Sequence, residues 1–293
     1  MHATELTREN IAGVPFDFVP QRQVMHEVEQ WRRARQRHHI VLANPHAVML
    51  CRRDHRMRQA TLSAGLTLPD GVGVVLAAKL LGHGRRHRVT GPALMLEICD
   101  RSRALGYRHF FYGSTDVVVT ELVRRLTEAY PGLVVAGTYS PPFRPYTSDT
   151  DTEGVARINA ARADIVWVGL GAPKQEKWMQ DHAGLIDATA VIGVGAAFDF
   201  HSGNVRWAPR WVRKCGMEWA YRLILEPRRM WRRNLDSPLF LSLVICQAAT
   251  QRVMRLLAGT RRRGPLWTMP APELFEERLL PLAVPSAVPG PPN

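Results

Sequence analysis

Apolar residues along this chain fall into two patterns. Short unbroken runs, HIVLAN (39–44), HFFYG (109–113), LVVAGTYS (133–140) and DIVWVGLG (164–171), are too brief for helices and rich in β-branched and aromatic side chains. Between them the apolar positions recur every three or four residues. That spacing predicts helices over 21–36, PHAVMLCRRD (45–54), VGVVLAAKLLG (72–82), GPALMLEICDRSRALG (91–106), DVVVTELVRRLTEAYPG (116–132), DTEGVARINAARA (151–163) and PKQEKWMQDH (173–182). Pro92 near the first turn and Gly106 past the last frame one of them. TLSAGLTLPDG (61–71) reads as a strand and turn, and AVIGVGAAFDF (190–200) as a last strand. Strands that alternate with helices predict right-handed βαβ units, and strands apolar on both faces predict a sheet covered on both sides. The expected fold is therefore α/β, a Rossmann-like parallel sheet with helices on both faces.

From Trp207 the pattern changes. RWAPRWVRKCGMEWAYRLILEPRRMWRRNL is dense in Arg and Trp, and SPLFLSLVICQAATQRVMRLL (237–257) follows it. The apolar core of that second segment is shorter than the ~20 residues that span a bilayer. It reads either as an interfacial amphipathic helix, able to touch lipid or pair protomers in a homo-oligomer, or as a helix packed on the core. Eight of the 21 prolines lie from Gly264 onward, so that end is expected to be disordered. Three parts are predicted: an α/β catalytic domain (1–204), a basic, helical, membrane-proximal appendage (205–260) and a Pro-rich tail (261–293).

Charge sharpens this division. The net charge is +13, and residues 205–263 carry fourteen Arg or Lys against three acids. Such a patch attracts phosphate, whether on a nucleotide, a nucleic acid or an anionic membrane. The four cysteines, at 51, 99, 215 and 246, form no CxxC pair and read as thiols in a reducing compartment. MHATELTRENIAGVPF lacks a basic start followed by an apolar block, so the chain is expected to be cytoplasmic.

In an open parallel sheet, ligands bind at the carboxyl ends of the strands. There Gly169 and Gly171 either bring the backbone close to a ligand or only permit the turn. The helix that follows presents free N–H groups, with Lys174 and Gln175 beside them. GVGVVL (71–76), GLGAPK (169–174) and GVGAAF (193–198) each begin GxG, but none supplies the third glycine of a dinucleotide fingerprint, which leaves NAD unsupported. Asp70, in a Pro-Asp-Gly turn, either caps a helix or acts as a general base. Asp199 accepts from a ribose or base, or caps a turn. No HExxH, DxD, GxSxG or Walker loop occurs, and neither a tightly held metal nor another cofactor is expected. With 35 Arg against four Lys, guanidinium groups are the natural partners of a diphosphate: Arg88, Arg206, Arg222, Arg228 and Arg229 are the available set.

LANPHAVML, LPDGVGV, RVTGPALM, FFYGST, VGLGAPKQEKWM, GVGAAFDFHSGNVRWAPRW and GMEWAYRLILEPRR stand in an order that resembles the WecG/TagA/CpsF family of bacterial glycosyltransferases, over about residues 10–235. The resemblance implies metal-independent, inverting transfer of a sugar from a nucleotide donor, usually UDP-linked. The acceptor is a polyprenyl-diphosphate-linked saccharide at the inner face of the cell membrane, in cell-surface polysaccharide synthesis. It implies Asp70 as the base, Asn44, Arg88 and Gln175 as substrate-pocket positions, and a basic appendage near 206–233 that closes the site and meets an anionic membrane. The partners expected are the donor, the lipid-linked acceptor and that membrane, with no nucleic acid. The competing readings are an NAD-dependent oxidoreductase and a non-enzymatic basic module that binds membrane or nucleic acid.

Overall fold

The computed structural model describes residues 8–83, 87–142 and 151–261; the Pro-rich end from 262 lies outside the described residues. The chain divides into two compact units, Met1–Arg252 and Val253–Asn293. The first unit opens with a hairpin, β1 (Arg8–Ile11) and β2 (Val14–Asp17), and a helix, α1 (Gln21–Arg33). Then come β3 (His38–Ala43), α2 (Pro45–Arg53), α3 (His55–Leu62), β4 (Leu66–Pro69), α4 (Val72–Leu80) and α5 (Gly91–Ser102). β5 (Arg108–Gly113), α6 (Asp116–Ala129), β6 (Val134–Tyr139), α7 (Thr152–Ala160), β7 (Ile165–Gly169), α8 (Lys174–Asp181) and β8 (Ala190–Gly193) complete the alternation. Five more helices follow: α9 (Ala197–Ser202), α10 (Arg210–Lys214), α11 (Glu218–Leu225), α12 (Pro227–Asn234) and α13 (Asp236–Arg261). The second unit begins within α13; of it, 253–261 are described, as the last turns of that helix.

Six strands form one parallel sheet in the order β4-β3-β8-β7-β5-β6. Successive side chains point to opposite faces, and two core clusters follow. Ile40 and Leu42 of β3, with Ile165 and Trp167 of β7, join α1, α5 and α6 through Val24, Leu94 and Leu122. Val41 and Ala43, with Val166 and Val168, join α2, α3, α4 and α8 through Val48, Met57, Val74 and Trp178. Both faces of the sheet are thus covered, and the fold is a Rossmann-like α/β fold. Trp178 is buried and stacks on Tyr112, with ring centroids 4.1 Å apart.

Two local expectations are corrected, and one element is unforeseen. The run AVIGVGAAFDF continues as strand only to Gly193; Gly195, at φ +51, turns the chain into α9. The first residues of TLSAGLTLPDG, Thr61 and Leu62, finish α3, and the strand begins at Leu66. The hairpin β1–β2 carries no alternating signal that announces it. Its turn is Ala12-Gly13, both at positive φ, which matches the twist of paired strands.

In the segment 237–257 the core-packing reading is met on one face of α13. Phe240 and Val244 of α13 are buried in the core with Ile11, Phe16 and Trp178, while Leu239, Leu241 and Ile245 are exposed. Gln247 accepts from the Ala12 N–H and donates to the Asn10 carbonyl, each at 2.8 Å, and so pins the helix to the hairpin. Among the described residues no helix is long and apolar enough to cross a membrane.

Candidate active site

The carboxyl ends of four neighbouring strands, β4, β3, β8 and β7, open on one cavity of about 730 Å³. That is the size range of pockets that enclose a small organic ligand, ~300–1,000 Å³. β3 and β4 each deliver a polar residue at their ends, while β8 contributes Gly193 and Val194 to the lining. β3 leads into Asn44, whose Oδ1 accepts from the Ala47 N–H at 3.0 Å and caps α2, with Pro45 at the first turn. That bond occupies the carbonyl of the amide and leaves its NH2 to the Asp70 carboxyl, with which the Asn44 side chain is hydrogen-bonded. β4 leads into Asp70, whose backbone N–H donates to Ala43 O at 2.9 Å. Gly71 then takes φ +87, a left-handed conformation that glycine adopts without strain, and α4 starts.

Burial dominates the chemistry of Asp70. Desolvation, aided by the negative charge of Glu218, pushes its pKa from 3.8 up to about 7, against the pull of Arg88, Arg222 and the Asn44 bond. A carboxyl poised near neutrality can take a proton from a substrate hydroxyl and be reset at the pH of a cell.

Arg88 lies just before Val89, whose N–H donates to Pro69 O at 3.0 Å, so this arginine sits beside the end of β4. Its guanidinium pairs with Glu218 Oε2 at 2.9 Å and donates to Arg213 O at 3.0 Å. Glu218 Oε1 in turn accepts from Trp207 Nε1 at 3.3 Å, and the Arg213 guanidinium stands 3.7 Å over the Trp207 ring. Arg222, on α11, lies over Phe200 at 5.5 Å and lines the cavity. The helices after Trp207 thereby wall the site: Trp207, Glu218, Trp219, Arg222, Met230 and Phe240 all line it.

On the opposite flank of the Asp70 strand pair, β7 and β8 hold Gln175. Its Oε1 accepts from the Gly171 N–H at 3.2 Å and its Nε2 donates to Glu176 Oε1 at 2.9 Å, which fixes which way the amide points. Gly193 makes room for it: a Cβ there would meet Gln175 Nε2 at 3.0 Å and Met179 Cε at 2.8 Å. Gly171, at φ +77, carries the turn and lines the cavity. Gly169 faces packing instead, where a Cβ would meet the Phe198 ring at 2.8 Å.

Of the residues singled out from sequence, Asn44, Asp70, Arg88, Gln175 and Arg222 line this cavity together. Lys174, Asp199, Arg206 and Arg228 are not among the described residues that line it. Lys174 is the first residue of α8. The Asp199 carboxylate accepts from Asn204 Nδ2 at 3.1 Å, and its carbonyl from the Val205 N–H at 3.0 Å, so it secures the turn after α9. Arg206 and Arg228 are exposed, and the side chain of Arg229 lies outside the described residues. Sequence reasoning missed His46, Glu176, Glu218 and Asn234, all of which line the cavity. His46 and Glu176 stand one or two positions from residues it did select, a signal that was available; Glu218, on the same helix as Arg222, and Asn234, on the same helix as Arg228, carry no turn or cap motif that marks them. Among the described residues no group of three or more His, Cys, Asp or Glu is placed to hold a metal ion.

Sheet order and cavity position define a Rossmann-like α/β protein with its site at the carboxyl edge of the sheet, where such folds hold their ligands. The sequence model of the glycosyl transferase WecG/TagA/CpsF family matches residues 9–254, and the chain belongs to that family. Curated proteins similar to it carry the name N-acetylglucosaminyldiphosphoundecaprenol N-acetyl-beta-D-mannosaminyltransferase. That of Bacillus spizizenii is 35% identical over 206 residues, covering 70% of this chain and 78% of the relative. That of Bacillus subtilis is 34% identical over 199 residues, 68% and 75% of the two chains. One from Staphylococcus aureus is 29% identical over 234 residues, 79% and 90%.

Proposed function

We propose that this chain is an inverting glycosyltransferase that moves a sugar from a UDP-linked donor to a polyprenyl-diphosphate-linked saccharide. The carrying observation is Asp70: a carboxyl whose pKa is raised to about 7 at the carboxyl edge of the sheet, with both Arg88 and Arg222 acting on it, whereas Glu176, the other cavity carboxyl raised to about 7, has Arg233. In this reading an acceptor hydroxyl lies against the Asp70 carboxylate. Its oxygen attacks the anomeric carbon of the donor from the face opposite the diphosphate, and its proton passes to Asp70. The bond from the anomeric carbon to the diphosphate oxygen breaks, and the leaving electron pair stays on the diphosphate. Arg88 and Arg222 take up that charge, in a cavity whose apolar walls strengthen each electrostatic contact. Glu218 holds the Arg88 guanidinium at 2.9 Å, so a diphosphate that binds there exchanges one anion for another. The relatives' names support an N-acetylhexosaminyl transfer onto N-acetylglucosaminyl-diphospho-lipid.

The appendage supports a peripheral place on an anionic membrane surface at the inner face. Trp211, Trp219, Trp231, Ile224, Leu239 and Ile245 are large, apolar and exposed among the arginines of this segment. Flotation with anionic liposomes that weakens as salt rises tests this, because surface attraction is screened within about 8–10 Å at physiological ionic strength.

A thermal-shift series with UDP, NAD and single-stranded DNA separates the function classes. UDP alone is expected to raise the melting temperature. A response to NAD with none to UDP would favour an oxidoreductase, and one to DNA alone a basic binding module. Turnover is expected to survive EDTA, since the reading gives the leaving charge to arginines.

The rate should follow the ionised base. With a pKa of about 7 for Asp70, kcat/KM is expected to rise about tenfold per pH unit below 7 and to level off above 8. Glu218→Gln removes a charge that raises that pKa and releases Arg88 to lower it, so the rising limb is expected to move toward acid. A limb that stays in place would show that Asp70 does not govern it.

A further inference from the structure

Three residues that line the cavity carry a buried side-chain atom with no hydrogen-bond partner in the protein: Oε2 of Glu176, Nδ2 of Asn234 and Nε of Arg222, the last beside Asp70 and the first two apart from it. Glu176 is 1% exposed. Its Oε1 already accepts from Gln175, so Oε2 is the oxygen left over. An unmet buried donor or acceptor is destabilising, and each such group in a native fold calls for an explanation. A ligand group that completes Glu176 Oε2 and Asn234 Nδ2 is the explanation the geometry favours.

The surroundings describe a separate corner of the cavity. Arg233 acts electrostatically on Glu176 and also on His46, and Asn234 is its neighbour at the end of α12. Glu218, Arg88, Arg222 and Asn44 act on Asp70, whereas Gln175, its own backbone and Arg233 act on Glu176. The two sets share no member. His46 is held there by Asp236, whose Oδ2 takes His46 Nδ1 at 2.5 Å while its Oδ1 takes Arg53 Nη1 at 2.7 Å. Burial holds His46 below the ordinary histidine range. A neutral ring that donates from Nδ1 presents Nε2 as an acceptor. Beside the Arg233 guanidinium this corner therefore offers a carboxyl, an amide donor and an imidazole acceptor, a set that suits hydroxyl and acetamido groups.

The corner also runs into an apolar helix face. Ser237, Pro238, Phe240 and Leu241 of α13 continue the lining, and Leu239, Leu241 and Ile245 of that helix are 49%, 47% and 55% exposed. A sugar bound here would carry any apolar extension along that face.

We propose that Glu176, Asn234 and His46 form the subsite for the acceptor saccharide, the sugar carried on the polyprenyl diphosphate, and read its hydroxyl and acetamido groups. This rests on the glycosyltransferase reading above. Glu176 touches the saccharide through Oε2 and at the same time holds the Gln175 amide through Oε1.

Two variants test it. Glu176→Gln keeps an oxygen for Gln175 and replaces Oε2 with NH2; Asn234→Ala leaves Gln175 untouched. Steady-state rates are measured with UDP-N-acetylmannosamine and a short-chain polyprenyl-diphospho-N-acetylglucosamine, with the same prenyl diphosphate lacking sugar as an inhibitor. Each variant is expected to raise the acceptor KM about tenfold, a change of ~1.4 kcal/mol. The donor KM and the inhibition constant of the sugar-free lipid are expected to stay within twofold. An unchanged acceptor KM in both variants overturns the subsite. So does an equal loss for the sugar-free lipid, which would mean that these residues read the diphosphate or prenyl part, or a matching rise in the donor KM. If the wild-type protein neither responds to UDP nor transfers sugar, the functional reading itself has failed, an outcome separate from these.

Discussion

Asp70→Asn is expected to lower turnover by about 10²–10⁴-fold, the usual contribution of a positioned general base, while UDP still raises the melting temperature. The amide keeps the size of the side chain and its contact with Asn44, so the cavity should persist; what is lost is the capacity to take a proton. The same substitution has a stability signature with a definite sign. In the unfolded chain this carboxyl loses its proton near 3.8, and in the fold at about 7. The folded state therefore binds the proton more tightly, and stability falls as pH rises from about 4 to about 7, with the penalty complete above that. Asparagine carries no such penalty. Asp70→Asn is expected to melt several degrees above wild type at pH 8 and close to it at pH 4. Near-normal turnover would remove Asp70 from the role of base. An equal melting temperature at pH 8 would show that the carboxylate is not buried at a cost.

Ending the chain at Asn204 is expected to abolish cooperative unfolding as well as turnover. The removed part supplies Phe240 and Val244 to a core cluster that also holds Ile11, Phe16, Val48 and Trp178. Emptying a single buried Phe position costs about 3–5 kcal/mol, against the 5–15 kcal/mol that holds a typical domain together. The truncation also strips Asp236 from His46 and Arg53, Gln247 from the hairpin, and Glu218 from Arg88. Ending the chain at Arg252, where the first compact unit closes, retains all of these groups and is expected to melt as the full chain does. Circular dichroism melts of the two truncations decide the matter. A 204-residue product that unfolds sharply near the full-length temperature would show α13 to be an accessory rather than part of the core.

How far the molecule could be read in advance depended on the range of the forces involved. β3, β5 and β7 announced themselves because a strand covered on both faces has little room for polar positions, and that requirement is written in consecutive residues. Asn44 and Asp70 were legible because strand-to-helix turns demand a cap, a proline or a glycine at fixed offsets, and NPH and PDG carry those marks. AVIGVGAAFDF misled because a short apolar run is equally good strand or buried helix; the positive φ of Gly195 and the packing of Phe198 on Gly169 settle it. The hairpin at 8–17 escaped because its four-residue strands are stabilised by remote partners, Thr67 on Asp17 and Gln247 on its turn.

By itself, then, the sequence determined the parallel α/β layering and the polar residues stationed at the strand ends, because each follows from local periodicity and turn chemistry, and its ordered blocks carried the resemblance to the family. The tertiary structure alone decided which charges act on one another. Whether Asp70 is an ordinary carboxylate or one that titrates at about 7 depends on Glu218, Arg88 and Arg222 and on the depth of the cavity. Whether Glu176 is a solvated helix residue or a buried carboxyl with an oxygen to spare depends on α12 and α13 closing over it. Desolvation and Coulomb interaction act through space, between residues as distant along the chain as Asp70 and Glu218, and no pattern of neighbours along the backbone encodes them.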